Sequence, residues 1–105
     1  MNSKMQKSEK IFLKLYVIKK SPGTAEMLKK LRAFLDSEIN QEYTLEIIDI
    51  LSNPEIAIQD KILASPTLIK TKPLPSKRLI GKLPFNNLIA ELNINLLHDT
   101  SNKKE

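Results

Sequence analysis

Cysteine and tryptophan are absent from this chain of 105 residues, which has only two glycines and one histidine. Without a thiol there is no disulfide, no thiolate ligand and no redox dithiol. Gly23 and Gly81 are too few for the glycine-rich loops that hold nucleotide phosphates. His98 stands alone and is predicted to be exposed, and the carboxylates are scattered, so neither a metal site nor a catalytic triad is indicated. We therefore expect no enzyme and no cofactor.

Long apolar runs are also missing, since none approaches the ~20 residues of a membrane span. The first ten residues are polar and carry lysines, which is not the pattern of a signal peptide. The length suits one core. We predict a disordered lead-in over residues 1–10, a single domain over 11–98 and a frayed tail over 99–105. A chain free of cysteine is compatible with a cytoplasmic location, which we expect, without membrane association.

The net charge of +5 comes from one segment. Between residues 70 and 82 there are five basic residues and no acid, and removing those five from the 17 leaves 12 basic residues against 12 acidic ones. Such a patch attracts acidic partners, of which nucleic acid is one kind. However, no aromatic residue interrupts the run to provide a stacking platform for bases, which disfavours nucleic acid.

The first half of the chain has the pattern of a βαβ unit. Continuous apolar residues over Ile11–Ile18 predict a central strand covered on both faces, and Tyr43–Ile50 predict a second, parallel strand. Ser21 followed by Pro22 predicts the start of the intervening helix, with Thr24 as a rival cap. The apolar stripe of that helix recurs at three- and four-residue spacings in Met27, Leu28, Leu31, Phe34 and Leu35.

Prolines divide the second half. Asn53 and Pro54 predict the start of a short helix that carries Ile56, Ile62 and Leu63. Asp49 is expected at the exposed end of the preceding strand or as a cap of the next turn.

Pro66, among small residues, predicts the entry to a strand over Thr67–Thr71, and the Ser65–Pro66 bond is a candidate for the cis isomer. The segment Pro73–Pro75 predicts a stiff turn into a return strand over Arg78–Ile80. Gly81 provides a break that tolerates positive φ. Pro84 predicts a last helix with Leu88, Ile89, Leu92 and Leu96 on one face.

A small residue followed by Pro-Thr at the entry to a strand is the arrangement of thioredoxin-like folds. In that layout the residues that open the first helix are Ser21-Pro22-Gly23-Thr24, with hydroxyls in place of thiols. A serine at a helix N-terminus can hold a thiolate ligand, so a thiol-binding protein or enzyme that uses Ser21 is one alternative function. A nucleic-acid binder that uses the basic segment is another. A plain N-cap is the simpler interpretation of Ser21.

Several motifs together resemble the KaiB family of circadian clock proteins. The resemblance covers about Ile11 to Leu97. Its most specific part consists of Leu51-Ser-Asn-Pro54, Asp60-Lys-Ile-Leu-Ala-Ser-Pro-Thr-Leu68, Pro73-Leu-Pro75 and Lys77-Arg-Leu-Ile-Gly81, to which Leu13-Lys-Leu-Tyr-Val17 and Ile48-Asp49 add.

The resemblance implies an α/β protein whose N-terminal βαβ half is thioredoxin-like. The C-terminal half then has either the KaiB ground-state packing, as a homotetramer or secondly a dimer, or a thioredoxin-like packing in a monomer. It implies binding to a KaiC-like ATPase, and to a KaiA-like protein or a histidine kinase in some members. The matching basic positions linked to partner contacts are Lys61, Lys70, Lys77 and Arg78. Candidates for the structural switch between packings are Pro66, Pro73, Pro75 and Gly81.

This sequence departs from the family pattern at three places. Lys19-Lys-Ser-Pro22 replaces the usual Gly-Asn-Thr-Pro, Leu74 interrupts the usual three prolines, and Lys82 replaces the usual acid after the glycine. The acidic tail of many members is also missing. These differences bear on the choice of partner more than on the fold. With the resemblance they imply a divergent paralogue, or a KaiB from an organism without a complete clock, whose expected role is to pair with a KaiC-like ATPase in clock or stress-adaptation signalling.

Overall fold

The computed structural model describes residues 9–94. Most of the predicted lead-in, the tail over 99–105, Leu96 and His98 lie outside the described residues. The elements in chain order are β1 (Ile11–Val17), α1 (Thr24–Glu38), β2 (Tyr43–Asp49), α2 (Pro54–Gln59), β3 (Thr67–Lys72), β4 (Lys77–Ile80), a 3-10 turn (Phe85–Asn87) and α3 (Leu88–Glu91). None of the described helices has the length and apolar character needed to cross a membrane.

The four strands form one mixed sheet in the order β2-β1-β3-β4. Strands β1 and β2 are parallel, with Ile11 opposite Tyr43 and Val17 opposite Asp49. Strand β3 is antiparallel to both β1 and β4. The predicted parallel βαβ unit is therefore confirmed. Two packings were expected for the C-terminal half, and the structure has the thioredoxin-like packing.

The sheet carries one core on each face. The larger core packs α1 and α3 against the sheet and contains Ile11, Leu13, Leu15, Val17, Leu31, Leu35, Ile39, Leu68, Leu83, Leu88, Leu92 and Ile94. The smaller core on the other face contains Tyr16, Ile48 and Ile69, with Ile50 and Ile62 against it. Alternate side chains of a strand point to opposite faces, so β1 contributes to both cores.

The second face is covered over only part of its length. Phe12 is 39% exposed, and Lys14 is half-buried. The prediction that β1 is covered on both faces is therefore wrong for its N-terminal half. Asp60, the residue that follows α2, meets this face at Tyr16 and Lys14.

Helix α1 begins at Thr24, so the predicted start at Ser21 and Pro22 is wrong. Gly23 precedes the helix in the left-handed region, with φ of 86°, and Ser21 belongs to a turn in which its N–H donates to Ile18 O at 3.0 Å. Thr24 is the first helical residue rather than a cap, and its hydroxyl donates to Ile18 O at 3.0 Å. A left-handed residue cannot continue a right-handed helix, which places the boundary after Gly23.

Asn53 and Pro54 do begin α2, as predicted, but the helix ends at Gln59. Ile62 and Leu63 therefore lie beyond it. The cause is Lys61, whose φ of 55° breaks the helical backbone. The last helix likewise starts later than predicted, because a 3-10 turn separates Pro84 from Leu88.

The β3–β4 hairpin is bordered by the four residues predicted as switch candidates. The bond between Ser65 and Pro66, which the sequence offered as a candidate for the cis isomer, is cis, and the bonds before Pro73 and Pro75 are also cis. Gly81 has a φ of 91° and donates its N–H to Pro66 O at 2.8 Å. Pro66 and Gly81 thus close one end of the hairpin, and Pro73 and Pro75 form the turn at the other.

Candidate partner-binding surface

The structure divides the four predicted basic residues between the two faces of the sheet. Arg78 pairs with Ile69 and lies on the face of the smaller core, whereas Lys77 pairs with Lys70 and lies on the opposite face. Lys61, in the turn after α2, adjoins Arg78. The four residues therefore do not form one continuous patch: Lys61 and Arg78 meet on one face of the sheet, and Lys70 and Lys77 are neighbours on the other.

Arg78 holds the turn after α2 against the sheet. Its guanidinium donates from Nη1 to Lys61 O at 3.1 Å and from Nη2 to Asp60 O at 2.8 Å. A planar guanidinium can donate two parallel hydrogen bonds, which an ammonium cannot reproduce. These contacts join β4 to the left-handed Lys61 backbone, so Arg78 has a structural role that sequence reasoning missed.

Asp60 extends this contact into the smaller core. The hydroxyl of Tyr16, a fully buried residue, donates to Asp60 Oδ2, and Lys14 Nζ lies 3.9 Å from the same oxygen. Burial and then the Asp60 contact raise the pKa of Tyr16 above its ordinary value. We call Tyr16, Asp60 and Arg78 the Asp60 network. It fixes the end of α2 to the sheet from two strands.

We expect the protein to lose stability in alkaline solution, where the hydroxyl of Tyr16 ionises. Because the pKa of Tyr16 is raised in the folded protein, its stabilising contribution is complete below the unfolded pKa of ~10 and is lost as the pH rises through the folded value. Urea unfolding over this range checks this. The free energy of unfolding of Tyr16→Phe is expected to fall less steeply with pH than that of the unaltered chain. Parallel slopes would contradict the assignment.

Arg78→Gln is expected to lower the free energy of unfolding by about 1 kcal/mol, because two hydrogen bonds to partly exposed carbonyl groups are lost. Lys77→Gln is the matched control. Lys77 lies beside Arg78 on β4 and lacks the two hydrogen bonds that Arg78 makes. The free energy of unfolding of this variant is expected to stay within ~0.5 kcal/mol of that of the unaltered chain. Equal midpoints of urea unfolding for the two variants would show that the Arg78 contacts contribute nothing.

Lys70 is buried in this packing, with 1% of its surface exposed. Its Nζ donates to Asn93 O at 3.3 Å, in the turn that follows α3, where Asn93 has a φ of 59°. Burial, and then the charge of Lys77, lower the pKa of Lys70. Here Lys70 connects β3 to the end of α3, and its ammonium is not available on the surface. A partner contact by Lys70 stays a prediction that requires a different packing.

Exposed apolar side chains surround α2. Leu51 before the helix is 58% exposed, Ile58 within it is 75% exposed, and Leu63 after it is 91% exposed. These three side chains lie within thirteen residues of the chain, and exposed apolar patches commonly mark an interaction site. We call Leu51, Ile58, Lys61 and Leu63 the α2 surface. No pattern in the sequence predicted its exposure, since apolar residues in and beside a short helix are expected to face the core.

Asp49 ends β2, as predicted, beside this surface. Its carboxylate accepts hydrogen bonds from Lys19 N at 3.1 Å and Ser52 Oγ at 2.9 Å. The Lys19 backbone and then the Ser52 hydroxyl lower the pKa of Asp49. These contacts connect the loops after β1 and β2, and they give Asp49 a role in loop structure.

Ser21, the residue of the alternative thiol-binding function, is exposed and lies three residues before the first residue of α1. Its carbonyl accepts a hydrogen bond from Thr24 N at 3.2 Å. Within residues 9–94, no group of three or more histidine and carboxylate side chains is arranged to hold a metal ion.

Comparison of the sequence with known proteins matches the chain to one family. A family model described as the KaiB domain matches residues 14–93. The circadian clock oscillator protein KaiB of Prochlorococcus marinus (strain MIT 9303) is 44% identical over 83% of this chain and 72% of its own length. The KaiB of Gloeothece citriformis (strain PCC 7424) is 40% identical over 89% and 87%.

Two solved structures share the fold. The N-terminal domain of Synechococcus elongatus SasA aligns with a TM-score of 0.63 at 18% identity, covering 82% of this chain and 79% of that one. A structure titled as a malarial protein aligns with a TM-score of 0.67 at 16% identity, covering 81% and 96%. At these identities the likeness shows the fold alone. The match of the family model and the identity to the two KaiB relatives go further: the chain belongs to the KaiB family of circadian clock proteins.

Proposed function

We propose that this chain is a non-enzymatic regulatory protein that binds a KaiC-like ATPase in clock or stress-adaptation signalling, and that the thioredoxin-like packing is the form that binds. The α2 surface is the observation that carries the proposal. It combines three largely exposed apolar side chains with the ammonium group of Lys61. Protein interfaces have an apolar centre and a polar rim, which is the composition found here.

The thioredoxin-like packing builds this surface. Arg78 of β4 donates to the backbone of Asp60 and Lys61, so the packing of the C-terminal half as described holds the turn that presents Lys61. A different packing of the C-terminal half would remove the Arg78 contacts. The ability to bind is thereby coupled to the packing of β3, β4 and α3.

Fold switching is part of the proposal. In a resting homotetramer, or secondly a dimer, the C-terminal half has the other KaiB packing, and Pro66, Pro73, Pro75 and Gly81 border the hairpin that rearranges. If the binding form were populated at ~1%, the apparent affinity would fall about a hundredfold. A KaiA-like protein or a clock histidine kinase is a further candidate partner, and the cytoplasm is the proposed location.

Affinity capture tests the proposal. Tagged protein is incubated for hours with native lysate and either ATP or ADP, and retained proteins are identified by mass spectrometry. The expected result is recovery of a KaiC-like ATPase that increases slowly with time. Recovery of no ATPase, with the tagged protein still folded, would contradict the proposal. Retention of glutathione-related proteins or of nucleic acid would instead favour the alternatives that use Ser21 or the basic segment.

A further inference from the structure

A groove on the opposite side of the sheet from α2 is not used by this proposed function. It lies between α1 and the segment after β4, with a volume of about 440 Å³. Small-molecule sites typically measure ~300–1,000 Å³. We call it the α1 groove. Its apolar lining consists of Met27, Pro66, Leu83 and Phe85.

The apolar wall of the groove is held in place by packing. Leu83 is 6% exposed and belongs to the larger core. The ring of Phe85 packs edge-to-face against Phe34, with 5.8 Å between centroids. Side chains fixed in this way form a surface that exists before a ligand arrives, which reduces the entropy lost on binding.

The charged rim of the groove favours an anion. Lys30 and Lys82 line it, and Lys30 Nζ lies 4.7 Å from the centroid of the Phe85 ring. Among residues 9–94, no carboxylate forms an ion pair with either lysine. Glu26 also lines the groove, so its rim carries two positive charges and one negative charge. This balance is complementary to one negative charge rather than to two.

We propose that the α1 groove binds a small amphipathic carboxylate, a free molecule with an apolar chain or ring and a single anionic group. The apolar part contacts Met27, Leu83 and Phe85, and the carboxylate lies between Lys30 and Lys82. Ser21 does not line the groove. The site therefore differs in both position and chemistry from a thiolate held at the start of α1.

The methionines provide a direct readout of binding. The chain has three methionines, at positions 1, 5 and 27. With carbon-13 in the methionine methyl groups, decanoate added below its micellar concentration is expected to shift the Met27 signal saturably and to leave the Met1 and Met5 signals in place. The variant Met27→Leu assigns the Met27 signal. Decanol and decyltrimethylammonium serve as neutral and cationic probes with the same chain.

Charge variants complete the test. Lys82→Glu is expected to weaken decanoate binding about five- to tenfold, because it replaces an exposed attractive charge with a repulsive one. Lys30→Gln is expected to weaken it about two- to fivefold, because it removes one exposed attractive charge. Lys29→Gln, on the same helix but outside the groove, is expected to change nothing. The proposal is overturned if Met27 shifts equally with all three probes, if Lys82→Glu binds decanoate as tightly as the unaltered chain, or if the folded protein shows no saturable shift.

Discussion

Leu92→Ala is expected to lower the free energy of unfolding by about 2–5 kcal/mol, the usual cost of removing a buried leucine side chain. Leu92 is fully buried, in the core that joins α3 to the sheet. The substitution removes apolar contacts and leaves a cavity, and both effects act on the packing of the C-terminal half. Urea unfolding followed by circular dichroism measures the change.

Leu63→Ala is the matched control for this experiment. Leu63 is 91% exposed, so the same loss of side-chain atoms is expected to change the free energy of unfolding by less than ~0.5 kcal/mol. A Leu92→Ala variant as stable as Leu63→Ala would show that the free chain does not populate the packing in which α3 lies on the sheet, so that it rests in the other packing. Under the proposed function, Leu92→Ala also depletes the binding form, so capture of the ATPase is expected to fall.

The second large effect concerns partner binding. The double variant Lys61→Glu with Leu63→Ala is expected to weaken binding to the captured ATPase at least about tenfold. Reversing a charge at an interface replaces attraction with repulsion, and removing an apolar contact at its centre can cost more than ~1 kcal/mol. Tenfold corresponds to about 1.4 kcal/mol. Binding isotherms at two ionic strengths measure both the affinity and its salt dependence.

A measurement of stability distinguishes this loss of binding from misfolding of the double variant. Both substituted residues are exposed, so the double variant is expected to unfold at the same urea concentration as the unaltered chain. Lys29→Glu, an exposed lysine on α1, is the charge control and is expected to bind normally. Unchanged affinity in the double variant would exclude the α2 surface as the docking site.

Local sequence signals predicted the order of the elements well. The apolar run of β1, the periodic stripe of α1 and the proline before β3 each depend on neighbouring residues only. The boundaries were less predictable. The start of α1 depends on Gly23 adopting a left-handed conformation and the end of α2 on Lys61 doing so, which no side-chain pattern shows.

The candidate sites depended on contacts between distant residues. Lys70 belongs to a run of basic residues in the sequence, yet its position on β3 directs it towards the turn after α3, 23 residues away. Arg78 donates to the backbone carbonyl groups of Lys61 and Asp60, which precede it by 17 and 18 positions in the chain. A sequence pattern gives the charge of each side chain, whereas its accessibility follows from the register of β3 with β1 and β4.

The packing described here is proposed to be the one that binds the ATPase, and a distance measurement within the complex tests this. The chain has no cysteine, so Lys29→Cys with Asn86→Cys places two nitroxide labels without background, one on α1 and one on the turn before α3. In the isolated ATPase complex, electron–electron resonance is expected to give one narrow distance distribution that agrees with the thioredoxin-like packing. A distribution in the complex that departs from this packing would contradict the claim.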